Sequence, residues 1–316
     1  ALATLKTDLP IAEFLAKNFA APRYAELRRQ ITRMVEGYDA ADPDRASTFA
    51  LRDEWLDEAV EQHGRIAEGY GAVIDFLAAE CARHGATLRL GATVSAVEAS
   101  GGRVGVRCGD GTLIGGDAVI LTVPLPLLRA IALPDGLQAK LSASADIGFG
   151  NVIKLLLRFR TRWWGAGDRR DRADLSFLLS DAPIPTWWTQ NPGTHPVLTG
   201  WFAGPRTGTM ASLTADELVG AGLASLGQIF ALPVERLQQE LVAARGINWG
   251  HDPCARGAYS YAPPHTPAAR ARLQKPDGSG VFFSGEALYA GPDMGTVEAA
   301  LASGLGTART ILAGAD

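Results

Sequence analysis

The spacing of apolar and polar positions changes character near Gly69. Before it, apolar residues recur at helical intervals: Ile11, Phe14 and Leu15, then Leu27, Ile31, Met34 and Val35 within Tyr24–Tyr38, and again from Phe49 to Val60. Side chains three and four apart share a helix face, so this stretch predicts an amphipathic helical layer with its Arg and Glu residues toward solvent. Asp8-Leu9-Pro10 is expected to start the first helix, and Gly37 to close the second.

Beyond Gly69 the periods mix. Ala72–Arg83 reads as a helix ended by Gly85, and Thr87–Ala99 and Arg103–Cys108 alternate with the period of two of half-buried strands. Gly109-Asp110-Gly111 marks a tight turn before Thr112–Ile114. Ala118–Val123 (AVILTV) is continuously apolar, the pattern of a strand buried on both faces in an α/β layer. Asn151–Phe159 (NVIKLLLRF) and Val197–Phe202 are further strands, and Thr214–Phe230 and Pro233–Leu241 are helices. Gly280–Phe283 is a short strand and Gly295–Leu312 a helix. The expected fold class is α/β.

Composition narrows the function. Of 316 residues, 47% are hydrophobic and 20% charged, with a net charge of −4, which excludes a disordered polyelectrolyte and argues against nucleic-acid binding. No apolar run is long enough to predict a transmembrane helix, and Ala1–Lys17 does not read as a signal peptide. Three widely spaced cysteines suit reduced thiols, so a cytoplasmic protein is expected.

Several chemistries find no support. G-x-S-x-G, C-x-x-C and H-E-x-x-H are absent. His251, Asp252 and Cys254 are close in sequence, but such a cluster in a loop reads as a turn, so no metal is expected. His63, His84, His195 and His265 read as surface or core residues. Gly69-Tyr-Gly71 and Gly304-Leu-Gly306 lack the third small residue of a dinucleotide fingerprint, having Ile74 and Arg309 there.

The most informative segment is Val281–Ile311 (VFFSGEALYAGPDMGTVEAALASGLGTARTI). It reads as an apolar strand, then Gly285-Glu286, a Gly/Pro loop, and a helix starting near Gly295-Thr296. A carboxylate at a strand end can accept from sugar-like hydroxyls, and a helix N-terminus offers free N–H groups to an anion. An ordinary strand–turn–helix connection has the same spacing. Separately, Lys154 lies midway along an apolar strand, which is costly unless it is paired or wetted.

Val281–Ile311 resembles the closing signature of the flavin-dependent amine oxidases, the family of monoamine, polyamine and L-amino-acid oxidases. Four further segments agree in order: Gly69–Leu77 with Leu88–Val97, Asp117–Leu125, Val152–Lys154 with Trp163-Trp164, and Trp249–Tyr261. The resemblance implies a two-domain, FAD-linked architecture with an α+β substrate domain. On that scheme residues 1–61 are the helical part of the substrate domain, 62–128 an FAD-domain segment, 129–277 the rest of the substrate domain, and 278–316 the closing FAD-domain segment. It further implies that Lys154 holds a water against the flavin and that Tyr259 forms one wall of the substrate cage. Cofactor contacts would come from Val94, Trp249, Gly285, Glu286, Gly295, Thr296 and Val297, with Val94 at the adenine, Glu286 at the ribityl–pyrophosphate region, and the Thr296 and Val297 N–H groups at the flavin ring.

Two departures qualify the resemblance. Thr296 stands where monoamine oxidases place a second cage tyrosine, and Ala258 where some members attach FAD through cysteine, so FAD is expected to bind non-covalently. The implied activity is oxidation of a C–N bond of an amine or amino acid, with O2 giving H2O2. The family opens with a G-x-G-x-x-G βαβ unit that these residues do not contain, which points to a fragment or to a second chain supplying that unit, alongside a homo-oligomer as partner. The alternatives are a non-catalytic or incomplete subunit and a related FAD-dependent desaturase.

Overall fold

A computed structural model describes residues 1–56, 66–165 and 174–314. The helices are α1 (Ile11–Asn18), α2 (Ala25–Gly37), α3 (Thr48–Leu56), α4 (Tyr70–Arg83), α5 (Leu125–Leu128), α6 (Gln138–Ala143), α7 (Ala215–Phe230), α8 (Val234–Glu240), α9 (Thr266–Gln274) and α10 (Val297–Ala313). The strands are β1 (Val94–Ser100), β2 (Arg103–Cys108), β3 (Leu113–Gly116), β4 (Val119–Leu121), β5 (Gly148–Phe149), β6 (Val152–Phe159), β7 (Phe177–Leu179), β8 (Thr186–Trp188), β9 (Val197–Ala203), β10 (Leu241–Asn248), β11 (Ser260–Tyr261) and β12 (Val281–Phe283). The continuation of the helical pattern to Val60, and His63, lie outside the described residues.

The centre is a five-stranded antiparallel sheet in the order β10-β6-β9-β8-β7. One face packs on α7, whose Leu218, Leu223 and Leu226 join Leu155, Leu157, Trp187 and Leu198 in a closed core. Gly222 of α7 is needed there, since a Cβ would come within 2.4 Å of Leu155. A capping box between Thr214 and Glu217 starts α7 where the sequence places it.

The N-terminal helices form the expected layer, joined around Phe14, Leu15, Val35 and Leu51. Its start differs from expectation. Pro10, not Asp8, occupies the N-cap of α1, and the Asp8 carboxylate instead accepts from Ser47 Oγ, Thr48 Oγ1 and the Phe49 N–H, holding the first turn of α3. Asp8 is adjacent to one helix in sequence and to another in space.

Around β4 the expectation fails more clearly. The sequence predicts Ala118–Val123 to be buried on both faces, yet the strand within it, β4, pairs in parallel with β12 alone, and Ile120 is 41% exposed. Thr87–Ala99 shortens to β1, leaving Leu88 and Leu90 in the open. In both places, no further strand covers the apolar side among the described residues. No single described helix is long and apolar enough to cross a membrane.

Candidate active site

Lys154 sits on β6, next to the edge strand β10, opposite Trp201 of β9 and Ile247 of β10, and is half-buried. Its ammonium has no hydrogen-bond or ion-pair partner among the described residues. The strand enters through Gly148–Asn151, where β5 pairs with β11. Gly150 N–H donates to Tyr259 O and Ala258 N–H to Gly150 O, both at 2.8 Å, so Tyr259 is fixed against the approach to Lys154. Gly150 cannot carry a side chain: a Cβ would lie 2.3 Å from Ala40 O.

Tyr259 and Trp201 pack with Ala40, Val152 and Ala203, and both grip the end of α2. The Tyr259 hydroxyl donates to Tyr38 O, and Trp201 Nε1 donates to Gly37 O at 2.7 Å. This turn presents Asp39, and the next residue, Ala40, is held at φ +51°. Asp39 faces Glu54 of α3. Burial first, then the neighbouring Glu54 carboxyl, pushes Asp39 up from 3.8 to about 8. Burial, with Asp293 nearby, raises Glu54 as well. Burial foremost, with Asp39 and Tyr38 beside it, holds the Tyr259 phenol well above its ordinary range.

Trp249 follows β10 and is 37% exposed. Asn151 Nδ2 donates to Asn248 Oδ1 and to Thr207 Oγ1, each at 3.1 Å, and Asn248 Oδ1 also accepts from Gly250 N–H at 3.0 Å. Gly257 N–H closes the segment onto Trp249 O at 3.1 Å.

The Glu286 carboxyl reaches across to β11, where its Oε1 accepts from Ser260 N–H at 3.2 Å and Ser260 Oγ–H at 2.8 Å. Its Oε2 is buried and has no partner among the described residues. Burial raises its pKa, opposed by the Ser260 hydrogen bonds, by the nearby Gly295 N–H and by Arg270. Gly285 lies at φ +135° and its N–H donates to Ser303 Oγ at 3.1 Å. Gly295 lies at φ +87° with its Cα against the Tyr259 ring, a Cβ there meeting Cδ2 at 3.0 Å. Thr296 caps α10 by accepting from Ala299 N–H at 3.1 Å, and the first-turn N–H groups, including that of Val297, have no intrahelical acceptor.

Glu286 and Gly295 meet the Tyr259–Ser260 segment, Trp249 is tied to that segment through Gly257, and Lys154 lies opposite Trp201, which packs with Tyr259; Gly285, Thr296 and Val297 are chain neighbours of Glu286 and Gly295. Val94 stands apart, on the three-stranded sheet beside the core of Val281 and Phe283. Asp39, Glu54, Trp201, Ser260 and Arg270 carry no local signature; only their packing places them near Tyr259 and Glu286. A cavity of about 340 Å³ lies in the helical layer instead, lined by apolar side chains such as Phe14, Leu27, Leu51 and Trp55, and holds none of the site residues.

The orphaned Glu286 oxygen, beside a capped helix start and two glycines in the left-handed region, fits a flavin with a polyhydroxylated chain.

Comparison with known proteins agrees. The profile of the family described as flavin containing amine oxidoreductase matches residues 4–312. Polyamine oxidase 4 of Oryza sativa subsp. japonica is 29% identical over 283 residues, covering 87% of this chain and 54% of that protein. Lysine-specific histone demethylase 2 of Homo sapiens is 26% identical over 244 residues, covering 74% and 28%. The structure of cyclohexylamine oxidase from Brevibacterium oxydans IH-35A superposes with a TM-score of 0.75 at 20% identity, covering 96% of this chain and 67% of that one. The chain spans about half the length of the polyamine oxidase.

Proposed function

We propose, from the premise that the chain belongs to the flavin containing amine oxidoreductase family, that it forms the substrate side and the flavin-ring side of an FAD-dependent amine oxidase. The carrying observation is the interior Glu286 carboxyl, held by Ser260 next to Tyr259 with its second oxygen left unpaired among the described residues. When bound, FAD supplies the acceptor for a hydride from the carbon beside nitrogen, and O2 takes those electrons to give H2O2.

The chain's own residues do the rest. The amine approaches along the Tyr259 face, where the ring can attract a cation. The Asp39–Glu54 pair, in which Asp39 keeps its proton up to about pH 8, offers carboxyl oxygens to the amine N–H groups on that approach. Lys154, unpaired and half-buried, holds a water, and water hydrolyses the imine product. Glu286 and the first turn of α10 hold the cofactor without a covalent link, in keeping with Ala258 before Tyr259. Polar carboxyl groups beside the cage favour an amine over the wholly apolar substrate of a desaturase.

A second reading is favoured by the open apolar faces. α4 has no buried residue, α10 buries only Ala299 and Ser303, and β4–β12 is a two-stranded parallel pair. On this reading, residues 66–128 and 278–314 are parts of an FAD domain completed by a βαβ unit from elsewhere, and these residues alone do not retain FAD. The absorption spectrum of the purified protein, before and after adding FAD, decides. Flavin bands that survive gel filtration support the self-sufficient site, and a colourless protein that fails to retain FAD overturns it. Placement in the cytoplasm, with all three cysteines as free thiols, belongs to the same proposal.

A further inference from the structure

The guanidinium of Arg270, on α9, is buried, with the residue 8% exposed. Its Nε–H donates to Ala287 O at 3.0 Å and its Nη2–H to Met294 Sδ at 2.7 Å, so one side chain grips both ends of the segment between Glu286 and Gly295. One helical turn on, Gln274 Nε2 holds Leu288 O at 3.1 Å. Both acceptors of Arg270 are neutral, and a buried cation held by neutral partners is costly. The opposing charge that it feels is the Glu286 carboxyl.

We propose that Arg270 is a positioning residue acting through Glu286: it fixes the Ala287–Met294 segment and sets a positive charge behind the carboxyl, keeping Oε2 available as an acceptor for a hydroxyl-bearing ligand chain. A carboxylate held in this way accepts from a polyol and repels a bare phosphate, so the ligand portion it takes is a polyhydroxylated chain. The identity of that chain as part of FAD rests on the flavin reading; the clamp on the loop does not.

The test compares Arg270→Met, which keeps length and loses charge, Arg270→Lys, which keeps charge and loses the fork, Glu286→Gln, and the Arg270→Met/Glu286→Gln pair. FAD affinity is read by flavin fluorescence and the order of the loop by amide hydrogen exchange across residues 286–296. Arg270→Met is expected to weaken FAD by about ten-fold, the loss of one charge-assisted contact, and to speed exchange in the loop. Arg270→Lys recovers part of the affinity. In the Glu286→Gln background, Arg270→Met adds less than about two-fold, because the two side chains act as one unit. Additive losses, or unchanged affinity in a folded Arg270→Met protein, overturn the proposal. If Arg270→Met does not fold, Arg270→Lys decides by the same two readouts. If the wild-type chain binds no FAD, the self-sufficient flavin site fails; loop exchange then still decides the clamp, and exchange unchanged by either substitution overturns it.

Discussion

Around the five-stranded sheet, Leu155, Leu157, Ile184 and Leu226 are wholly enclosed, whereas on α4 and α10 Ile74, Phe76, Leu301 and Leu305 stand open, Phe76 at 63% exposure. Both regions follow sound local rules. The sheet strands alternate or run apolar, and α4 and α10 have uncharged stretches of good helix formers. The difference is that the sheet finds its second layer in α7, close by in sequence, while the described residues offer α4, β4 and α10 no such layer. Secondary structure is set by local pattern, but burial needs a partner surface.

The largest expected effect separates the two regions directly. Leu155→Ala should cost about 2–5 kcal/mol by opening a cavity in the closed core, while the same truncation at Leu301 should stay within about 0.5 kcal/mol, both read from urea midpoints. Equal losses would mean that α10 is as enclosed as the sheet. Next in size, Lys154→Met is expected to slow flavin turnover or reoxidation by roughly ten-fold or more with the melting temperature kept, as loss of a water-holding group requires. Stopped-flow traces unchanged from wild type would remove Lys154 from the chemistry. A smaller effect concerns the acidic turn. Asp39 is held at about 8 in the folded protein against an ordinary 3.8, so between those values the folded state carries a proton that the unfolded state has lost. Stability therefore falls as pH rises from about 4 to about 8 and levels off above, with Glu54 acting in the same direction. Asp39→Asn should flatten that slope in urea titrations at several pH values; an unchanged slope would detach the pair from folding.

Much of the sheet region is legible in the sequence. Asn151–Phe159 becomes β6, Val197–Phe202 becomes β9, and Thr214–Phe230 becomes α7 with its cap, since period, flanking proline or glycine and burial agree there. Lys154, Tyr259 and Glu286 are singled out in the sequence because their segments are collinear with a known family pattern. Asp39, Glu54 and Arg270 are not, because the groups that give them meaning lie on other elements: Glu54 on α3, Ala287 and Met294 in the loop before α10. Asp8 shows the same limit at the smallest scale. Its position before Pro10 suits a cap for α1, but its carboxylate meets the start of α3, where several donors converge.

The sequence by itself determined the helical layer, the strand runs, the loop-to-helix element at Gly285–Val297 and the family to which they point, because each depends on residues a few positions apart. Tertiary structure alone decided which carboxyls face one another, which Glu286 oxygen stays unpaired and which apolar faces remain open. Those outcomes depend on desolvation and contact between distant segments, and no local spacing records what will stand opposite a side chain once the chain has folded.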